Sequence, residues 1–155
     1  MRPVTRLAAT IATLLLLFSS PSLSSDDAAL VGTWKLVKLM NVVDGKEVHP
    51  FGEKPNGLFI YSAEGRLMIQ IQRETPPESW EPLKIEPGGF SSGTPWYVGY
   101  FGRWSADDDV ITHHVEGGTL LHYIGTDQKR PYSLDGDRLF IGERGAWERE
   151  LVRVK

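Results

Sequence analysis

WYVGYFGRWSADDDVITHHVEGGTLLHYIGTDQKR, residues 96–130, is the stretch on which the fold turns. From Trp96 to Trp104 every second residue is large and apolar or is Gly, while the residues between are mixed, which is the pattern of a strand with one buried face. Asp107-Asp108 and Gly117-Gly118 have hairpin chemistry. They divide the stretch into strands over 96–106 and 109–117 and the start of a long strand over 119–134.

With two-residue turns, Trp104 faces Ile111, Gly102 faces His113 and Tyr100 faces Val115. The next turn sets Val115 against Leu120, His113 against His122 and Ile111 against Ile124. One face then carries an apolar wall with two adjacent imidazoles, and His114 points away. One extra residue in either turn would reverse the following strand and bring His114 inward instead. The same parity places Thr126, Gln128 and Arg130 inside unless a bulge at Gly125 resets it. A turn at Asp135-Gly136 would set Arg130 opposite Ile141. Gly125 and Pro131 predict a bend or bulge in the long strand.

Five more alternating runs, 32–42, 57–62, 66–74, 137–143 and 147–154, are bounded by Gly and Asp turns. No helical periodicity lasts three turns. Eight strands joined mainly by hairpins predict an all-β fold, a closed eight-stranded antiparallel up-and-down barrel, because closure removes the open edges. Residues 75–95 are rich in Pro, Gly and Ser yet contain Trp80, Leu83, Ile85 and Phe90, and are expected to form a loop covering one barrel end.

Arg2 and Arg6 precede an apolar run from Leu7 to Phe18 and small residues at 22–24, the layout of a signal peptide over 1–24. The run is too short to span a membrane, which takes roughly 20 residues. Residues 25–155 are expected to be one exported domain, periplasmic or secreted, with no stable membrane insertion. The chain has 0 Cys, so no disulfide supports the fold. Loss of Arg2 and Arg6 with the leader makes the formal charge of −3 two units more negative, and no basic run is present. Nucleic acid is therefore not an expected partner.

A barrel of this size can hold one small hydrophobic ligand. The wall would be Trp34, Tyr100, Trp104, Ile111 and Ile124, and the polar contacts His113, His122, Gln128 and Arg130. A buried Arg calls for a carboxylate or an anionic ligand, so Arg130 and Gln128 point to a molecule with an acidic or carbonyl end. The structural alternative is that Arg130 stacks on Trp34 and closes the base. No Gly-x-Ser-x-Gly, phosphate loop or Cys nucleophile is present, and no cofactor is expected. Cross-strand His113 and His122 lack a third ligand at any usual spacing, so no metal is expected. No catalytic residue is assigned. The competing function is a cofactor-free isomerase or cyclase-like enzyme using His113 or His122 for proton transfer. No outward row of aromatics suggests a carbohydrate surface, and the oligomeric state is left open.

LVGTWKLV at 30–37, DGKEVHPFGEKPNGLFIYSAEGRLMIQI at 44–71, and the blocks YFGRW, ITHHVEGG, GTDQKR and LDGDRLF resemble the lipocalin-like domain family of bacterial and fungal proteins. The likeness runs from Leu30 to about Arg149. It implies a small eight-stranded barrel able to enclose an apolar molecule, with no single activity. Fungal members are associated with secondary metabolism, which is what keeps the isomerase or cyclase alternative in view. In lipocalins the Trp of Gly-x-Trp, here Trp34, packs under a late arginine and closes one barrel end. The resemblance offers Arg149 for that closure, with Arg130 the other candidate. Family members commonly have Pro and Trp after the His-His-Val-Glu block. Leu121, His122 and Tyr123 stand here instead, so His122 is local to this chain.

Overall fold

The computed structural model describes residues 25–76 and 96–155. The expected leader at 1–24, and residues 77–95 of the expected covering loop, lie outside the described residues.

After a short helix α1 (Ser25–Leu30), the strands are β1 (Gly32–Val43), β2 (Lys46–Val48), β3 (Asn56–Tyr61), β4 (Arg66–Gln72), β5 (Tyr97–Asp107), β6 (Val110–Gly118), β7 (Asp127–Asp135), β8 (Arg138–Glu143) and β9 (Trp147–Arg153). Each of β3 to β8 pairs antiparallel with the next, and β1 pairs with both β3 and β9, so eight strands close a barrel. β2 is a small flap on the far end of β1. It folds back through Asp44-Gly45, where both residues have positive φ (52° and 72°), as a two-residue type I′ turn requires.

Alternation is plain in β4, where Leu67, Ile69 and Ile71 are buried between exposed residues, and in β5 from Tyr100 onward, where Tyr100, Gly102 and Trp104 are. The inner faces meet in one core that includes Trp34, Leu36, Phe59, Tyr61, Ile111, Leu139 and Leu151. Burying such side chains stabilises by about 1.5–3 kcal/mol each against the entropy of ordering the chain.

The β5–β6 turn is Asp108-Asp109, with Asp107 paired to Val110. Trp104 therefore lies opposite His113 and Gly102 opposite Val115, one pair along from the expected register. The offset is two residues, so every side chain keeps its face. His113 is inside and His114 outside. The β7–β8 turn slips in the same way: Tyr132, not Arg130, faces Ile141.

Residues 119–126 correct the expectation of one long strand. Gly118 has φ +150° and packs so tightly that a Cβ would fall 2.4 Å from the Gly99 carbonyl. The chain then turns through a single 3₁₀ turn, Leu121–Tyr123, and Gly125 at φ +76°. Backbone bonds Tyr123 N to Leu120 O, Thr126 N to Tyr123 O and Gly125 N to Val115 O hold this corner. As β7 begins only at Asp127, His113 pairs with Gln128, and the predicted pairs of His113 with His122, Ile111 with Ile124 and Val115 with Leu120 do not form.

The base is filled. Trp34 is fully buried, its indole donates to Leu30 O at 2.9 Å, and the guanidinium of Arg153 lies 4.0 Å above its ring. Arg153 also donates to Val31 O at 2.9 Å and Ala29 O at 2.6 Å, tying α1 and β1 to β9. Gly32, at φ +145°, leaves room for it, since a Cβ there would sit 2.7 Å from Arg153 Nη1. The closing arginine is thus Arg153, neither Arg149 nor Arg130. In the β1–β9 register Arg153 is the residue opposite Trp34, whereas Arg149 is opposite Leu39.

Candidate ligand-binding site

Above this packed base the barrel is hollow. A cavity of about 500 Å³ lies between Leu39 and Asn41 on β1, Phe59 on β3, Ile71 on β4, Val98 and Tyr100 on β5, Arg130 on β7, Ile141 on β8 and Trp147 and Arg149 on β9. Pro50 and Phe51, after β2, and Leu120 and Tyr123, at the 3₁₀ corner, complete its lining. The lining is two-sided. Phe51, Phe59, Ile71 and Val98 make an apolar wall, while Arg130 and Arg149 face it from the side of β7 and β9.

Both arginines stack on aromatics. Arg130 lies 5.6 Å from the ring centre of Tyr123 and 5.8 Å from that of Trp147, and Arg149 lies 5.5 Å from Trp147. Burial works to lower the Arg130 pKa, but the neighbouring Tyr100 and Tyr123 hydroxyls outweigh it and raise it. Arg149 donates to Asn41 Oδ1 and Glu148 O, each at 3.2 Å, and to Met40 O at 3.4 Å. Burial, then the nearby charge of Arg130, lowers the Arg149 pKa to about 10, which leaves it charged at neutral pH.

Behind Tyr100 runs a buried polar chain. Its hydroxyl is 3.0 Å from Nδ1 of His113, and Nε2 of the same ring is 3.0 Å from the hydroxyl of Tyr61. Burial pushes the His113 pKa well below the usual histidine range, with the charges of Arg130 and His114 acting in the same direction. The ring is therefore neutral, with one donor and one acceptor nitrogen. The imidazole thus links the two phenols in one chain, with Tyr100 at Nδ1 and Tyr61 at Nε2. Burial pushes the Tyr100 hydroxyl up to about 12, against the opposing effect of Arg130, so it stays protonated.

The predicted site residues thus divide. Tyr100 and Arg130 line the cavity. His113 lies one layer deeper, sealed behind Tyr100. Trp104 belongs to the base, where its ring meets Tyr61 edge-on at 5.3 Å and its indole donates to Ser62 O. Trp34, Ile111 and Ile124, expected on the wall, are absent from it, and Ile124 is exposed. Gln128 donates to Thr126 Oγ1 at 2.7 Å and does not line the cavity. His122 is exposed on the 3₁₀ corner with its ring against Tyr123 at 4.6 Å. Neither His113 nor His122 lines the cavity, and both ring nitrogens of His113 are occupied, so the isomerase alternative has neither of its candidate histidines on the wall.

Sequence reasoning did not place Arg149, Trp147, Tyr123 or Asn41 on the lining, nor the apolar wall of Phe51, Phe59 and Ile71. A signal for two of them existed. Trp147 and Arg149 share the parity of Leu151, which is fully buried, so both face inward.

On the outer surface, His114 bridges Ser105, whose hydroxyl is 3.0 Å from Nε2, and Asp127, whose carboxylate is 2.7 Å from Nδ1. The order is that of a hydrolase triad. These residues project from β5, β6 and the start of β7 on an exposed sheet face, where the strands' N–H groups are used in ladder bonds, so nothing there resembles an oxyanion hole.

A barrel filled at one end and hollow at the other, with few polar groups converging on an apolar chamber, belongs to the class of small-molecule-enclosing β-barrels. A family model described as a lipocalin-like domain matches residues 31–149, and the chain belongs to that family. The fold suggests small-molecule binding in general. No curated protein matches the chain. Among solved structures, an uncharacterized protein from Bacteroides eggerthii DSM 20697 is similar at 13% sequence identity and a TM-score of 0.45, over 80% of this chain and 98% of that one. Among the described residues no helix is long and apolar enough to cross a membrane, and no cluster of three His, Asp or Glu could hold a metal ion.

Proposed function

We propose that this protein is an exported carrier that encloses one small apolar molecule bearing an acidic or carbonyl end. The observation that supports this reading is the two-sided chamber: a wall of Phe51, Phe59, Ile71 and Val98 facing Arg130 and Arg149 in a space of about 500 Å³. That is within the ordinary size range of ligand pockets, roughly 300–1,000 Å³. Export rests on the residues at 1–24, with the periplasm or the medium as destination.

Native mass spectrometry before and after organic extraction tests the reading. A reproducible adduct that extraction removes is the expected result and gives the ligand's mass. A bare mass, with no uptake from a panel of fatty acids and aromatic metabolites, would overturn it. Export is tested separately by fractionating cells that express the full chain, where a processed protein outside the cytoplasm is expected.

A further inference from the structure

The chamber holds two positive charges and, among the described residues, no negative one. Arg130 and Arg149 flank the same indole of Trp147. The groups around them, the Tyr100 and Tyr123 phenols beside Arg130 and the two carbonyls and one amide oxygen that accept from Arg149, are all neutral. On the outer surface the arginines behave differently. Arg66 and Arg103 share Glu116 at 3.0 and 3.2 Å, and Arg138 pairs with Glu150. No ion pair among the described residues includes Arg130 or Arg149, although both are less exposed than these surface arginines and a counter-charge is worth more there.

We propose that the natural ligand is an amphiphile with an ionised carboxylate, its head between Arg130 and Arg149 and its apolar body against Phe59, Ile71 and Val98. This rests on reading the chamber as the ligand site and narrows the acidic-or-carbonyl choice to the acid. A neutral carbonyl accepts hydrogen bonds but leaves both charges unbalanced in a partly dry space. A carboxylate balances one of them and relieves the repulsion between the two. Its planar pair of oxygens also matches the guanidinium fork, which can donate two parallel bonds. Arg130 lies beside Tyr100, whose hydroxyl is braced by His113. The apolar wall carries no polar side chain that would reward a second head group.

The test uses the purified full-length protein, stripped of lipid by organic extraction, and a neutral fluorophore, 1-aminoanthracene, as a reporter of chamber occupancy. Decanoate and 1-decanol compete for it at pH 7.5. Decanoate is expected to displace the fluorophore at a concentration at least about tenfold lower than decanol, and Arg130→Gln or Arg149→Gln to bring the two within about threefold. Equal potency of acid and alcohol against a bound fluorophore would overturn the carboxylate assignment and leave the binding chamber standing. No fluorophore binding, with neither competitor taken up, would overturn the chamber itself. Should a glutamine variant fail to fold, the acid-to-alcohol ratio of the unmodified protein still decides the matter.

Discussion

The hydroxyl of Tyr100 lies 3.0 Å from Nδ1 of His113, so a residue on the cavity wall is braced by a fully buried imidazole that never meets the cavity. His113→Ala would leave two buried phenols without a partner and open a hole between Tyr61 and Tyr100. A loss of about 3 kcal/mol is expected from these two costs together, read as a lower urea midpoint. An unchanged midpoint would show that the chain behind Tyr100 carries no stability.

The same ring sets a pH dependence. Its folded pKa is depressed while the unfolded value is the ordinary 6.5, so the unfolded chain binds the proton first. The stability His113 contributes is complete above about pH 6.5 and is lost as the pH falls below that, by at most about 1.4 kcal/mol per pH unit. Thermal midpoints from pH 7.5 to 5 should fall more steeply for the unmodified protein than for His113→Gln. Parallel curves would mean that the ring titrates normally in the folded state.

At the base, Arg153→Lys should not substitute for arginine, because an ammonium can neither cover the Trp34 ring as a plane nor reach Val31 O and Ala29 O as a fork. A loss of about 1–3 kcal/mol is expected, with Gly32→Ala costing a similar amount through the contact its Cβ would make with the guanidinium. Combining the two changes should cost less than the sum, since both release the same side chain.

Arg149→Met should raise the stability of ligand-free protein while impairing ligand capture. Its charge lies beside that of Arg130 without a carboxylate among the described residues, and replacing such a group by an apolar one of similar length removes a cost. A gain of about 1 kcal/mol, or roughly 3 °C in thermal midpoint, is expected in lipid-free samples. A fall of similar size would show that the bonds to Asn41 and Met40 outweigh the unbalanced charge.

Facing was legible in the sequence even where register was not. The turns at Asp108-Asp109 and Gly136-Asp137 each lie one residue beyond the pair first read as the turn. A one-residue shift of a two-residue turn moves the partner by two, and side chains alternate with period two. His113 and Trp104 therefore point inward under either reading. Residues 119–126 were illegible for a different reason. Leu120, Leu121 and Ile124 read as strand, but the chain turns away through positive-φ glycines at Gly118 and Gly125 and local backbone bonds that leave no apolar pattern. That error carried His122 into the predicted site. Arg149 and Arg153 share one face of β9, and only the register with β1 decides which of them reaches Trp34.

The pairing of β1 with β9 joins residues more than a hundred positions apart in the chain. No intermediate length of the polypeptide can satisfy both strands: until Trp147–Arg153 arrives, β1 and β8 each keep an unpaired edge. Barrel closure is thus a long-range step, expected to be slow by its loop entropy, and a chain still short of β9 exposes two adhesive edges. A chain cut before Trp147 would not be a smaller barrel but an open sheet, and its expected fate is association with other copies through those edges.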